Sequence, residues 1–216
     1  MDYGRMFEDS FEYVKDALWG KWVRWLLLIV CVIIFPLFLG YTMEILRGKK
    51  PAPELENWGK LFVDGLKFFV VAVIYAIPVI AVLLISTGAT LVLSPIAILT
   101  KMTFTILLTL LVAFLVLIIE SIALVRFSRL ESFGEAFNFG AILEHIRGIG
   151  WGNYVIGLLL VYVVIGVVNF IVSHIPFIGE LLNFILTPAY GIFFARFLTL
   201  LYDSQQPLTP VTISPR

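Results

Sequence analysis

The chain has 216 residues, 61% of them hydrophobic and only 14% charged, with a mean hydropathy of +1.03, whereas a soluble domain balances roughly 45–50% apolar against about 25% charged residues. A formal net charge of zero argues against nucleic-acid binding, which requires a clustered basic surface. The single cysteine, Cys31, excludes a disulfide framework and a paired-thiol metal site.

Five stretches, 25–43, 68–100, 102–119, 148–179 and 181–195, contain no Asp, Glu, Lys or Arg and together exceed half the chain. About 20 apolar residues cross a bilayer core. The expected fold is therefore all-α, a polytopic integral membrane helical bundle forming one domain over 1–216, with about five transmembrane or re-entrant segments and amphipathic interfacial helices.

Residues 1–21 carry five acids, unlike a basic signal-peptide leader, so the first apolar segment is expected to be retained. Phe7, Phe11, Val14 and Leu18 recur at helical spacing with Asp9, Glu12 and Asp16 on other faces, which predicts an amphipathic helix. The membrane segment at 22–46 then has two readings, a plain span or a re-entrant wedge bent at Pro36 and Gly40.

Residues 54–125 read as an interfacial helix plus a helical hairpin. Leu55, Trp58, Phe62 and Leu66 make its stripe, opposed by Glu56, Lys60, Asp64 and Lys67. A span at 68–85 follows, then a short link between Ser86-Thr87-Gly88 and Ser94-Pro95 at the far surface, then a span at 102–125. Residues 132–202 repeat the plan. Phe133, Phe137, Ile142 and Ile146 form the stripe, and Ser132 with Glu135 has capping-box spacing. Gly148, Gly150 and Gly152 give a flexible entry into spans at 153–172 and 177–202, which turn at Ser173-His174-Ile175-Pro176, and 203–216 is a tail. Ile122-Ala123-Leu124-Val125-Arg126-Phe127 beside Ile192-Phe193-Phe194-Ala195-Arg196-Phe197 makes the two hairpins parallel pseudo-repeats.

Cytoplasmic connections are enriched in Lys and Arg. Segments 44–67, 126–147 and 196–216 hold ten such residues, against Lys101 alone in the opposite connections, which places those three segments in the cytoplasm. A plain first span would put Arg5, Lys15, Lys21 and Arg24 outside, whereas a wedge keeps them inside, so charge favours the wedge and leaves the side of the N-terminus to be settled.

Several motifs belong together: Glu44-Ile45-Leu46-Arg47-Gly48, Trp58-Gly59-Lys60-Leu61-Phe62-Val63-Asp64-Gly65-Leu66-Lys67, Ala123-Leu124-Val125-Arg126-Phe127, Gly134-Glu135-Ala136-Phe137-Asn138-Phe139-Gly140 and Asn153-Tyr154. On these residues, from about Phe7 to Tyr202, the chain resembles an archaeal membrane family known only as domain of unknown function 4013. The resemblance implies a membrane architecture and an archaeal origin and supplies no activity. Asn138 stands where that family more often has Asp, so no role for an acid carries over there.

Polar groups placed where hydrocarbon makes them expensive are the candidates for function. A carboxylate such as Glu120 costs about 2.5–3.5 kcal/mol within a span. Glu120 and Arg196 fall at similar depth and can pair, as a relay, as an interhelical clamp, or as two side chains reaching separately for the headgroups. Asn169 and Asn183 can hydrogen-bond across the last two spans. Glu180 and His174 suit the outer turn, and His145 beside Glu144 is no metal site. No phosphate loop, zinc-protease or nucleophile-elbow motif is present, so no catalytic residue, metal or cofactor is assigned. The expectation is a non-enzymatic membrane scaffold or subunit of a membrane complex that organises lipid. Its partners would be membrane lipids, with further copies of itself or other membrane subunits. The alternative is a small-solute or ion transporter or channel acting as an oligomer.

Overall fold

In hydrocarbon a helix satisfies its own backbone N–H and C=O groups. The computed structural model, which describes residues 1–87 and 95–205, accordingly contains eight α-helices and no strand among those residues. They are α1 (Tyr3–Leu18), α2 (Trp22–Ile33), α3 (Phe35–Leu46), α4 (Trp58–Thr87), α5 (Pro95–Leu130), α6 (Phe139–Ile149), α7 (Trp151–Ser173) and α8 (Gly179–Asp203). Four stretches are long and apolar enough to cross a membrane: Trp58–Ser86, Ile96–Leu130, Trp151–Ser173 and Gly179–Asp203. The expected far-surface link falls mainly on 88–94, and the tail mainly on 206–216; both lie outside the described residues.

Large apolar side chains turn outward along these helices, among them Leu84, Phe104, Leu107, Leu110, Val163 and Phe170. A soluble monomer rarely exposes such a continuous apolar surface, whereas lipid tails solvate it. The core is Tyr41, Met43 and Ile45 of α3 against Ile122, Val125 and Phe127 of α5, Tyr154 and Leu158 of α7, and Ile192, Phe197 and Leu201 of α8.

The first apolar segment is broken: α2 and α3 meet at 119°. The break falls at Ile34, and Pro36 opens α3, where its missing N–H removes one of the donors a helix start leaves unpaired. Neighbouring donors remain satisfied, since Ile34 N–H reaches the Val30 carbonyl at 3.0 Å and Leu37 N–H reaches the Ile34 carbonyl at 2.8 Å. Gly40 is not a bend. It lies inside α3, where a Cβ would strike the Leu61 carbonyl of α4, and a Cβ on Gly65 of α4 would strike the Pro36 carbonyl. The two helices therefore cross backbone to backbone, which only glycine permits.

The connecting segments also depart from the sequence pattern. Residues 58–67 are the opening turns of α4 rather than a separate helix, with Leu61, Asp64 and Phe68 buried and Trp58, Phe62 and Leu66 outward. On α1 the buried residues are Met6, Ser10, Tyr13, Ala17 and Leu18, while Phe11 is 66% exposed. On α4 the aromatic stripe faces outward, as lipid allows and water would not, whereas on α1 Phe11 alone turns out and Phe7 packs on Phe193 and Phe197 of α8.

Ser132 forms no side-chain cap. Phe133–Phe137 is a short 3-10 helix, Glu135 turns to Arg126, and Asn138 starts α6 by accepting the Ala141 N–H at 3.2 Å. Gly150, at φ +93°, is the single residue between α6 and α7, making that join tight rather than flexible. The second hairpin turns between Ser173 and Gly179, beside the expected motif.

The α3–α4 crossing gives a direct test. Gly65→Ala should destabilise the purified protein by at least about 2 kcal/mol, because the clash is with backbone that cannot rotate away. Gly166→Ala, where nothing lies within 4 Å, should be neutral or stabilising by about 0.5–1 kcal/mol. Thermal unfolding in detergent reads both, and equal melting temperatures for the two variants would contradict the crossing.

Candidate functional site

Because α3 and α4 touch through glycine, the side chains flanking the contact meet. Arg47 follows α3, and its Nη2 lies 2.9 Å from Asp64 Oδ2 of α4 and 3.0 Å from Glu131 Oε1 beyond α5. Nη1 bonds Glu44, and Nε donates to the Ser128 carbonyl at 3.1 Å. Glu44 and Asp64 are each only 5% exposed, and Lys49 and Lys60 pair with Glu44 while Lys67 pairs with Asp64. Arginine suits this position because its planar fork presents five donors, so one side chain neutralises acids on three elements.

Three further arginines extend the collar. Arg129 makes a two-pronged contact with Asp203 at 2.6 and 2.9 Å, donates through Nε to the Leu46 carbonyl, and lies over the Tyr202 ring. His145 stacks on that ring and donates from Nε2 to the Tyr202 carbonyl at 2.9 Å, and burial holds its pKa below the usual histidine value. Arg126 bonds Glu135. Arg196 of α8 donates from Nε to Asp9 Oδ1 of α1 at 2.6 Å and lies over Tyr13. Lys50 holds the other oxygen of Asp9 at 2.8 Å, and the Tyr13 hydroxyl donates to the Lys49 carbonyl. The Arg196 guanidinium keeps the Asp9 carboxyl below the usual carboxylate range, while burial pushes the Tyr13 phenol up to about 12.

The expected Glu120–Arg196 pair does not form. Equal depth along two helices says nothing about which faces meet, and Asp9, from an element 187 residues away in sequence, takes Arg196 instead. Glu120 lines a cavity of about 280 Å³ between α3, α4, α5, α7 and α8, and it makes no hydrogen bond or ion pair to any described residue. Asn183 donates to the Asn169 carbonyl at 3.2 Å and accepts the Tyr190 hydroxyl, tying α8 to α7. His174 sits at the end of α7 with Nδ1 2.8 Å from the Phe170 carbonyl, and Glu180 lies in the first turn of α8.

The sequence pattern did not single out Glu44, Arg47, Asp64 or Asp9. All four lie at the ends of apolar stretches or on an amphipathic face, where a charge reads as solvated. Glu44, Arg47 and Asp64 stood in the motifs that carry the family resemblance, and the i,i+3 spacing of Glu44 and Arg47 was a local signal for their pairing. Among the described residues no group of three or more His, Cys, Asp and Glu side chains is placed to hold a metal.

A family model described as "Protein of unknown function (DUF4013)" matches residues 25–177, which run from α2 to the outer turn and include the whole Arg47 cluster. No curated protein and no solved structure matches the chain.

Two predictions follow from the collar's electrostatics. Arg47→Met should cost about 3–5 kcal/mol, the usual consequence of removing one side of a buried pair, and Arg47→Lys should recover only part of it, because an ammonium cannot fork. Denaturant titration of the detergent-solubilised protein measures both. For Asp9, whose folded carboxyl titrates below its ordinary value of about 3.8, the stabilisation is complete above that value and lost as pH falls through the lower folded value. The melting-temperature gap between wild type and Asp9→Asn should therefore stay constant from neutral pH down to about pH 5 and close only below about pH 4. A gap that closes near neutrality would contradict the Asp9–Arg196 pairing.

Proposed function

The chain belongs to the DUF4013 family, a family of unknown function, and from its geometry we propose that it is a non-enzymatic membrane scaffold, or a subunit of a membrane complex, that organises lipid around a rigid core. The observation that carries this reading is the pairing of the arginines. Arg24, Arg47, Arg126, Arg129 and Arg196, the five with largely buried side chains among the described residues, each contact an acid. Such a set ties α3 to α4, α5 to α8, α8 to α1 and α2 to the loop after α3, and leaves none of these cations to escort a solute.

The broken α2–α3 pair supports the lipid-organising part of the proposal. Trp22, Trp58 and Trp151 are the first residues of α2, α4 and α7, and all three are exposed. Tryptophans of this kind settle at headgroup depth, which suggests that the three helices start from the same leaflet. Asp9–Lys50, Tyr13 to the Lys49 carbonyl and Arg24–Glu54 join the charged N-terminal region to the charged loop after α3. On this reading α2–α3 enters and leaves by one face as a wedge, α4–α5 and α7–α8 cross as hairpins, and the basic connections place the N-terminus, 44–67, 126–147 and the C-terminus in the cytoplasm. A wedge occupying one leaflet displaces lipid asymmetrically. The partners are then the lipids and, through the outward apolar faces of α4, α5 and α7, further copies or other membrane subunits. The second reading, an oligomeric transporter or channel, draws on Glu120 in its cavity.

Two experiments test the proposal. Proteoliposomes loaded with ions or small solutes should leak no faster than empty vesicles, and wild type and Glu120→Gln should coincide; a wild-type flux that Glu120→Gln abolishes would establish the transporter instead. In a Cys31→Ser background, single cysteines at the exposed Glu12 and Glu56 should label from the same side of sealed vesicles. Labelling from opposite sides would make α2–α3 a span.

A further inference from the structure

Glu120 is placed where a carboxylate has a reason to attract something from outside the chain. The cavity of about 280 Å³ is walled by Phe38, Leu39, Leu117, Leu124, Phe194 and Leu198, with Glu120 as its charged group. That volume lies just below the range of small-ligand pockets, about 300–1,000 Å³.

The other polar wall groups do not answer the carboxylate. Thr42 donates its proton to the Phe38 carbonyl at 2.9 Å, and Ser121 donates to the Leu117 carbonyl at 2.7 Å while sharing a 2.6 Å contact with the Tyr154 hydroxyl. Of the wall groups, Tyr162 is left to meet a ligand from the side. The nearby arginines are already bound to acids: Arg196 to Asp9, Arg126 to Glu135 and Arg47 to Asp64. A cation that completes the Glu120 site must therefore come from outside these residues.

The donor set decides its type. One carboxylate with a few hydroxyls already engaged falls well short of the six or more oxygens that calcium or magnesium needs. One acceptor on an apolar wall instead matches one N–H donor group on an apolar body. We propose that this cavity is a binding site for a small hydrophobic amine, its ammonium on Glu120 and its hydrocarbon part against Phe38, Leu117, Leu124, Phe194 and Leu198. This goes beyond the scaffold reading, since a ligand held between five helices can stabilise the bundle without being transported. An amine of this kind dissolves in the bilayer and needs no aqueous path to arrive.

The test uses the full chain in nanodiscs of uncharged zwitterionic lipid, with naphthylmethylamine as the probe, its alcohol analogue as a neutral isostere, and empty nanodiscs to subtract partition into lipid. Fluorescence anisotropy should show the amine binding at least about tenfold more tightly than the alcohol, the size expected of one charge-assisted hydrogen bond. In Glu120→Gln the ratio should fall to about one, and in Leu124→Trp, which fills the cavity, both ligands should lose their site. Glu180→Gln, outside the cavity, should behave as wild type. Equal binding of amine and alcohol to wild type overturns the proposal without any variant. So does amine binding that survives Glu120→Gln or Leu124→Trp in a protein that still elutes as a single species.

Discussion

The contact between α3 and α4 sets the rest of the structure. Gly40 against Leu61 and Gly65 against Pro36 bring two backbones closer than any side chain would allow, and association in lipid depends on such packing because hydrocarbon supplies no hydrophobic drive between helices. The crossing holds α3 in place beside the break, where the Ile34 and Leu37 N–H groups find acceptors within the chain. It also carries Arg47 to Asp64. Without that proximity Glu44 and Asp64 would lose their shared counter-ion, and a buried carboxylate without its partner is a charge of the costly kind.

A gradient of order runs from this contact outward. Near the arginine collar, α3, α5, α7 and α8 bury large side chains completely, with Tyr41, Phe127, Tyr154 and Phe197 at the centre. Toward the ends joined by the 88–94 link, α4 and α5 turn Ile80, Leu83, Ile96, Leu99, Phe104 and Leu107 outward. Segments with few buried contacts open at low free energy, and segments within a packed, ion-paired core do not. One end of the molecule is therefore fixed, while the opposite end gains most of its packing from whatever surrounds it, whether lipid or another protein.

Much of the helical architecture was legible because it follows from length and apolarity. Spans at 102–125, 153–172 and 177–202 correspond to parts of α5, α7 and α8, the turn after Ser173 was marked by Pro176, and the broken first segment was signalled by its proline. What stayed hidden were choices made in three dimensions. Gly40 looked like a hinge because glycine signals flexibility locally, and its use as a contact surface appears only once Leu61 is opposite. The stripe at Leu55, Trp58, Phe62 and Leu66 had helical period but did not show which side packs: Trp58, Phe62 and Leu66 point outward, while Asp64 and Gly65 point in and Leu55, before the helix, lies against the core. Asp9 and Arg196 carry no mutual signal across 187 residues.

The treatment of charge bears most on what the molecule does. A transporter that alternates between two states must exchange the partners of its buried ions, and breaking a buried pair costs about 3–5 kcal/mol for each one left uncompensated. Here Arg47, Arg129 and Arg196 each bridge a different pair of elements, so a motion that parted α3 from α4, α5 from α8 and α8 from α1 together would break all three. Such a motion would cost well above the few kcal/mol separating states that interconvert readily. The cavity at Glu120 adjoins this fixed region, with Leu46 of its wall also giving its carbonyl to Arg129. A ligand there would meet walls that are already set, so little of its binding free energy would go into ordering the site.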